Sequence, residues 1–156
     1  MARFKASVES ATALAAAPTT FANLVAGASA NFKLRRITIG VRAGASVPTS
    51  QQLTVGWARA TARGTATATT TGTAMDPRSA ATAITGLDTT WSGNPTVSAT
   101  FMGKVSFNSQ SGVDLPIEAM EELICDQGTA NGIAFQNVGN ALPTSHLYTL
   151  DLEWEE

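Results

Sequence analysis

Toward the C-terminal end, Tyr148, Leu150, Leu152 and Trp154 alternate with Thr149, Asp151 and Glu153. A repeat of two places the first set on one face of an extended strand and the second on the other, a pattern that a helix cannot satisfy. The same period recurs along the chain. Over residues 31–42, Phe32 and Leu34 alternate, and then Ile37, Ile39 and Val41 alternate with the parity shifted by one. A β-bulge near Arg35-Arg36 restores a common inner face. Leu53, Val55 and Trp57 mark residues 52–60, and Val97, Ala99, Phe101, Val105 and Phe107 mark residues 95–107. Residues 132–138 complete five clear strands, and shorter candidates lie at 3–8, 20–25 and 123–125. Gly, Pro and Asn clusters at 43–50, 91–95, 108–112, 127–132 and 139–143 separate them. About eight short strands with turn signals between them predict an all-β chain, an antiparallel β-sandwich of jelly-roll type. An immunoglobulin-like sandwich is the alternative, without the paired cysteines of antibody domains.

At 156 residues the chain is one domain by length. We divide it into residues 1–18, an N-terminal arm or first strand, and a single β-sandwich domain over 19–156. Two segments are candidates for helix: residues 10–17, which are rich in alanine and stopped by Pro18, and the stretch that begins at Pro116. Residues 64–85 open on a run of Thr, Ala and Gly that is close to low complexity. β-branched Thr favours extended chain, so the segment reads as an extended excursion ordered by packing. Asp76-Pro77 starts a turn within it, with Asp accepting from backbone amides.

Residues able to do chemistry are few. His146 is the single histidine, and the strand pattern places it at the wet end of the inner row that runs to Trp154. No Gly-x-Ser-x-Gly elbow accompanies it, and the single cysteine, Cys125, follows Leu123-Ile124 as a buried small hydrophobe does. One cysteine excludes an internal disulfide and a Cys-rich zinc site. Glu118, Glu121 and Glu122 have helical spacing and offer a carboxylate pair or a hard-metal site, but read more simply as a solvated side; a hydrolase on this cluster is the weakest alternative. No calcium-loop spacing, phosphate-binding loop or dinucleotide fingerprint occurs. The expectation is a protein that is not an enzyme, with no cofactor and no metal.

No apolar run approaches the roughly 18 residues of a helical bilayer span, and no continuous apolar stretch follows Arg3 and Lys5 as a signal peptide requires. The chain therefore reads as made in a cytoplasm, with no membrane partner. Its net charge of −2 has the wrong sign for a dominant phosphate-contacting surface. The local basic cluster of Lys33, Arg35, Arg36 and Arg42 lacks interleaved aromatic residues, so no nucleic-acid partner is expected. Charge is nevertheless segregated. Residues 1–78 hold nine of the ten Lys/Arg and two of the twelve Asp/Glu, a net +7, and residues 79–156 carry the balancing −9. Head-to-tail packing of subunits uses such polarity, because complementary patches set register.

Several segments in order carry a family likeness: the strand from Phe32 to Val41, Leu53-Thr-Val-Gly-Trp-Ala-Arg, Met75-Asp-Pro-Arg-Ser-Ala-Ala, Asn94-Pro-Thr-Val, Gly132-Ile-Ala-Phe and the closing Tyr148-Thr-Leu-Asp-Leu-Glu-Trp-Glu-Glu. Together they resemble the jelly-roll head decoration (cement) proteins of tailed bacteriophages. The resemblance implies a structural virion protein made in the host cytoplasm, which binds the outer surface of the expanded capsid and stabilises it. Its partners would be the major capsid protein and copies of itself, as a homotrimer. An extended N-terminal arm, residues 2–7 with Arg3, Phe4 and Lys5, would touch the lattice. Two alternatives remain open: a tail or fibre-base virion component, and a carbohydrate-binding sandwich. Trp91, placed in a loop, serves the last as an aromatic platform, or serves assembly as a subunit contact.

Overall fold

The computed structural model describes residues 1–16, 18–44, 49–76, 78, 83–118 and 120–156. Twelve strands run in chain order: β1 (Arg3–Glu9), β2 (Thr19–Val25), β3 (Phe32–Arg42), β4 (Gln52–Ala62), β5 (Thr65–Thr71), β6 (Thr73–Ala74), β7 (Gly86–Gly93), β8 (Thr96–Asn108), β9 (Val113–Pro116), β10 (Leu123–Cys125), β11 (Gly132–Asn137) and β12 (Leu147–Glu155). They form two antiparallel sheets. The first has the order β10-β3-β12-β1-β6, with β9 also beside β3, and the second has the order β5-β7-β2-β11-β4-β8.

The alternation read from the sequence becomes the inner face of the first sheet. Three rows cross it in register, Phe4–Trp154–Leu34, Ala6–Leu152–Ile37 and Val8–Leu150–Ile39, and every member is buried. The parity shift in β3 is a bulge. Glu153 pairs with Arg36 and Trp154 with Leu34, so Arg35 is the extra residue that keeps both halves of the strand facing inward. Phe4 stacks on Trp154, with ring centroids 6.1 Å apart, and Phe21 stacks on Tyr148 at 4.9 Å. Each such side chain contributes about 1.5–3 kcal/mol on burial. Tyr148 keeps its hydroxyl satisfied by donating to Asn137 Oδ1 at 2.8 Å, and Asn137 Nδ2 donates to Ala15 O.

The second sheet does not present a simple inner and outer side. All six residues of β11 are buried, as are the last five of β2. The cover is a two-stranded ribbon. Residues 52–62 pair with 96–108, and residues 65–71 pair with 86–93, so two continuous stretches of chain run antiparallel through several register shifts. One end of this ribbon joins β11 through β4, and the other joins β2 through β7. The ribbon thus closes over the outward side of the β2–β11 pair. Asn94, Pro95 and Val97 accordingly share a cleft of about 300 Å³ with Thr20 and Gln136. At the bend Gly64 has φ +74, and a Cβ there would lie 2.3 Å from the Gly93 carbonyl oxygen, so only glycine fits.

Several expectations are corrected. The strands number twelve rather than about eight, because the 64–85 excursion contributes β5 and β6 and the ends of the sheets carry short β9 and β10. Of the two readings of the N-terminus, extended arm or first strand, residues 3–9 take the second as β1, hydrogen-bonded along its length to β12 and at its start to β6. Alternation of Phe4, Ala6 and Val8 makes it a core strand. Among the described residues no helix forms. Of the candidate at 10–17, residue 17 lies outside the described residues, and 10–16 are irregular with Ala13 at φ +54. Pro116 ends β9 instead of opening a helix. In the turn at 76–77, Asp76 Oδ1 accepts from Arg78 N at 2.9 Å. Pro77 lies outside the described residues, as do 79–82 of the excursion and 45–48 of the 43–50 turn cluster.

Candidate functional site

The outer face of the first sheet is built from the residues between the apolar rows, and these are charged. Strand β1 contributes Arg3 and Lys5, β12 contributes Asp151, Glu153 and Glu155, and β3 contributes Lys33, Arg35, Arg36 and Arg42. Asp114 of β9 and Glu122, just before β10, flank β3 on its far side. The result is stripes of alternating sign. Arg3 and Arg35 both bind Glu155, at 3.2 and 2.8 Å, and Arg35 and Lys33 both bind Glu122, at 3.1 and 2.9 Å. Arg36 forms a bidentate pair with Asp114, which also accepts from Thr38 at 2.9 Å. Lys5 lies 3.9 Å from Asp151, and Arg42 binds Glu9 at 2.8 Å.

These partners set the protonation of the face. Hydrogen bonds from Arg36 and Thr38 hold the Asp114 carboxyl down at about 2. Lys33 lowers Glu122, and Arg35 lowers Glu155. The opposite charges of the two halves of the chain thus neutralise one another inside one molecule. Within the chain this segregation is used between strands, because β12 lies between β1 and β3 and brings the acidic half between two basic strands.

The ribbon over the second sheet is chemically different. No Lys, Arg, Asp or Glu occurs over residues 64–75 or 89–103. In β5 six of the seven residues are exposed. At its root the ribbon is pinned by one ion pair, in which Arg63 Nε and Nη2 donate to buried Asp88 at 2.7 and 2.8 Å; Thr69 adds a third hydrogen bond to Asp88.

The residues singled out from the sequence do not converge. Arg3 and Lys5 lie on the ion-paired face, and Phe4 is 1% exposed, which removes it as a contact residue. Trp91 lies in β7 rather than in a loop, half-buried, with its indole Nε1 buried and unpartnered. His146 is buried just before β12 rather than wet within it, with Nδ1 3.0 Å from Thr144 O. Cys125 is buried, and burial pushes its thiol up to about 11. Glu122 is the ion-pair partner of Lys33 and Arg35, while Glu118 and Glu121 form no ion pair among the described residues. No group of three or more His, Cys, Asp or Glu that could hold a metal occurs among the described residues.

What the sequence reading missed is the ribbon. Its signal was the near-absence of charge on both sides of residues 76–88, but the pairing of the two stretches is long-range. Comparison with protein-family models, with curated proteins and with solved structures returned no match.

Proposed function

We propose that this chain is a structural virion protein that binds the outer surface of a phage capsid and stabilises it, as a decoration or cement protein acting as a homotrimer with the major capsid protein as its partner. The observation that carries the reading is the uncharged part of the ribbon, residues 64–75 and 89–103. Interface cores are depleted in charged residues because desolvating a charge is costly. Residues 64–75 and 89–103 offer a surface that can be buried without that cost, with half-buried Trp91 on β7 as its aromatic contact. The opposite, ion-paired face suits solvent.

Strand order supports a jelly-roll reading of the sandwich. Taking β5–β7 as an insertion, β1-β12-β3-β9 and β2-β11-β4-β8 follow the interleaved order of two nested Greek keys, an architecture common in viral capsid and lectin domains. Fold alone does not assign the role. For the carbohydrate-binding alternative, Trp91 is half-buried along a strand, so the assembly reading is the one carried forward.

The test is binding of the protein to empty expanded heads assembled from the capsid protein encoded with it. Wild-type protein is expected to saturate defined lattice positions, and Ala68→Lys with Thr70→Lys, both at exposed sites of β5, is expected to lose occupancy while keeping its unfolding midpoint. No binding of the wild type, or undiminished binding of the double variant, overturns the proposal.

A further inference from the structure

Strand β1 is covered by β12 along its whole length, but on its other side only at its start. Ala2 N donates to Glu156 O and Ser10 N to Tyr148 O, each at 2.9 Å. Bonded and non-bonded residues alternate in an antiparallel pair. The even-numbered residues of β1 therefore turn their main-chain groups to β12, and the odd-numbered ones turn theirs away. On that far side Arg3 O accepts from Met75 N at 2.8 Å, and the pairing with β6 goes no further than Lys5 opposite Thr73. Among the described residues no strand pairs with Ser7 or Glu9 there.

The inner face is cut short at the same place. The row Phe4–Trp154–Leu34 has a fourth member, Ala74 of β6, whereas the rows through Ala6 and Val8 end at β1. Ala6 is 6% and Val8 8% exposed, against 0% and 1% for their neighbours Leu152 and Leu150. A cleft of about 530 Å³ opens beside this stretch, walled by Ala6, Ser7, Thr70, Thr71, Ala74 and Met75, with Lys5 its one charged residue.

Sheet edges are ordinarily blunted by shortness, charge, proline or bulges. Strand β10 has three residues, and β9 carries Asp114 and Pro116. Strands β5 and β8 pair through several register shifts, and β8 carries Lys104. Residues 6–9 have no proline and no inward charge, and their register against β12 is unbroken.

We propose that residues 6–9 of β1 are a peptide-binding site, which takes an extended, uncharged segment of a partner protein as an added antiparallel strand in line with β6. The unpaired N–H and C=O groups of Ser7 and Glu9 select an extended main chain, because only that matches their two-residue spacing. Alternate side chains of the segment continue the rows of Ala6 and Val8. Each must be small or apolar, since those rows lead into the core and an unpaired charge is costly there. The source of the segment rests on the decoration reading, which assigns it to the capsid protein. Thr70 and Thr71 of the ribbon wall the same cleft, so the site is continuous with the surface given to that contact.

The probe is the peptide acetyl-Thr-Thr-Val-Thr-Ala-amide, titrated to about 5 mM into the isotope-labelled full chain and followed by amide resonances. Saturable shifts and slowed hydrogen exchange are expected at Ser7 and Glu9. Ser7→Pro removes an N–H that the fold does not use. It is expected to keep the unfolding midpoint and to raise the half-saturation concentration at least about tenfold. No response at Ser7 and Glu9 in the wild type, or equal binding by Ser7→Pro, overturns the site. The same shifts arising from protein concentration alone give the edge to a second copy and overturn the partner. Hydrogen exchange over residues 2–10 is then compared between the free chain and the chain bound to expanded heads. Bound protein without protection there overturns the capsid segment and leaves the decoration reading standing. A chain that takes the probe but ignores heads refutes that reading and leaves the peptide site standing.

Discussion

Arg35, the extra residue of the β3 bulge, donates to Glu155 of β12 across 2.8 Å. The same guanidinium reaches Glu122, and the same carboxylate reaches Arg3. A residue inserted to correct the inward parity of β3 thereby also joins β1, β12, β3 and the segment before β10. The two roles separate by mutation. Arg35→Ala removes partly exposed ion pairs and is expected to cost about 1 kcal/mol in a denaturant titration. Deleting Arg35 shifts one half of β3 by one residue and turns either Phe32 and Leu34 or Ile37 and Ile39 outward; no cooperative unfolding transition is expected. A deletion variant as stable as Arg35→Ala would refute the bulge's role.

Phe4 places a core residue where an arm had been expected. Phe4→Ala is expected to lose about 3–5 kcal/mol by leaving a cavity against Trp154. Removing residues 1–7 strips most of β1 from between β12 and β6, and the product is expected to lose its near-ultraviolet dichroism. A truncated chain with an unchanged melting curve would restore the arm.

At Gly72, between β5 and β6, a Cβ would come within 2.4 Å of the Trp154 ring. The chain passes from one sheet to the other here with no room for a methyl group. Gly72→Ala is expected to destabilise by about 1–3 kcal/mol through overpacking. The cost should shrink when Trp154 is replaced by Phe, measured as a coupling in a double-mutant cycle. Additive losses would place the strain elsewhere.

Acid should loosen the ion-paired face in a defined direction. Asp114, Glu122 and Glu155 all titrate below their ordinary values in the folded chain. A depressed carboxylate contributes stability above its unfolded value, near 4 to 4.5, and loses it as pH falls through the folded value. For Asp114 the loss runs from the ordinary 3.8 down to about 2. Thermal unfolding followed from pH 7 to pH 2 should show the midpoint falling mainly below pH 4.5. Glu155→Gln should flatten part of that fall, and an equally steep curve in the variant would remove Glu155 from the acid response.

Much of the sheet structure was legible because a strand's side-chain period is local. Tyr148 to Trp154, Leu53 to Trp57 and the shifted rows of β3 needed no knowledge of their partners to be placed on an inner face. Legibility failed where burial comes from elsewhere in the chain. Trp91 sits among Thr, Ser, Gly and Asn, which read as a loop, yet pairing with Ala66 makes it part of a strand. His146 continues the alternation of β12 and still lies outside the strand, buried behind a turn closed by a bond from its own amide to Pro143 O. The helical preference of alanine in residues 10–16 yields to bonds such as Ala13 N to His146 O, which fasten that segment to the start of β12.

Along the sequence alone, the alternation determined an all-β chain, its inward rows and the bulge in β3, because each is a relation between residues a few positions apart. The separation of charge into two halves was equally plain there. Its use was decided only by the tertiary structure, which sets β12 between β1 and β3 and pairs Arg3 with Glu155, 152 positions away. The same holds for the ribbon: two uncharged stretches became one covering surface because pairing between distant strands, unlike alternation within one, leaves no local trace.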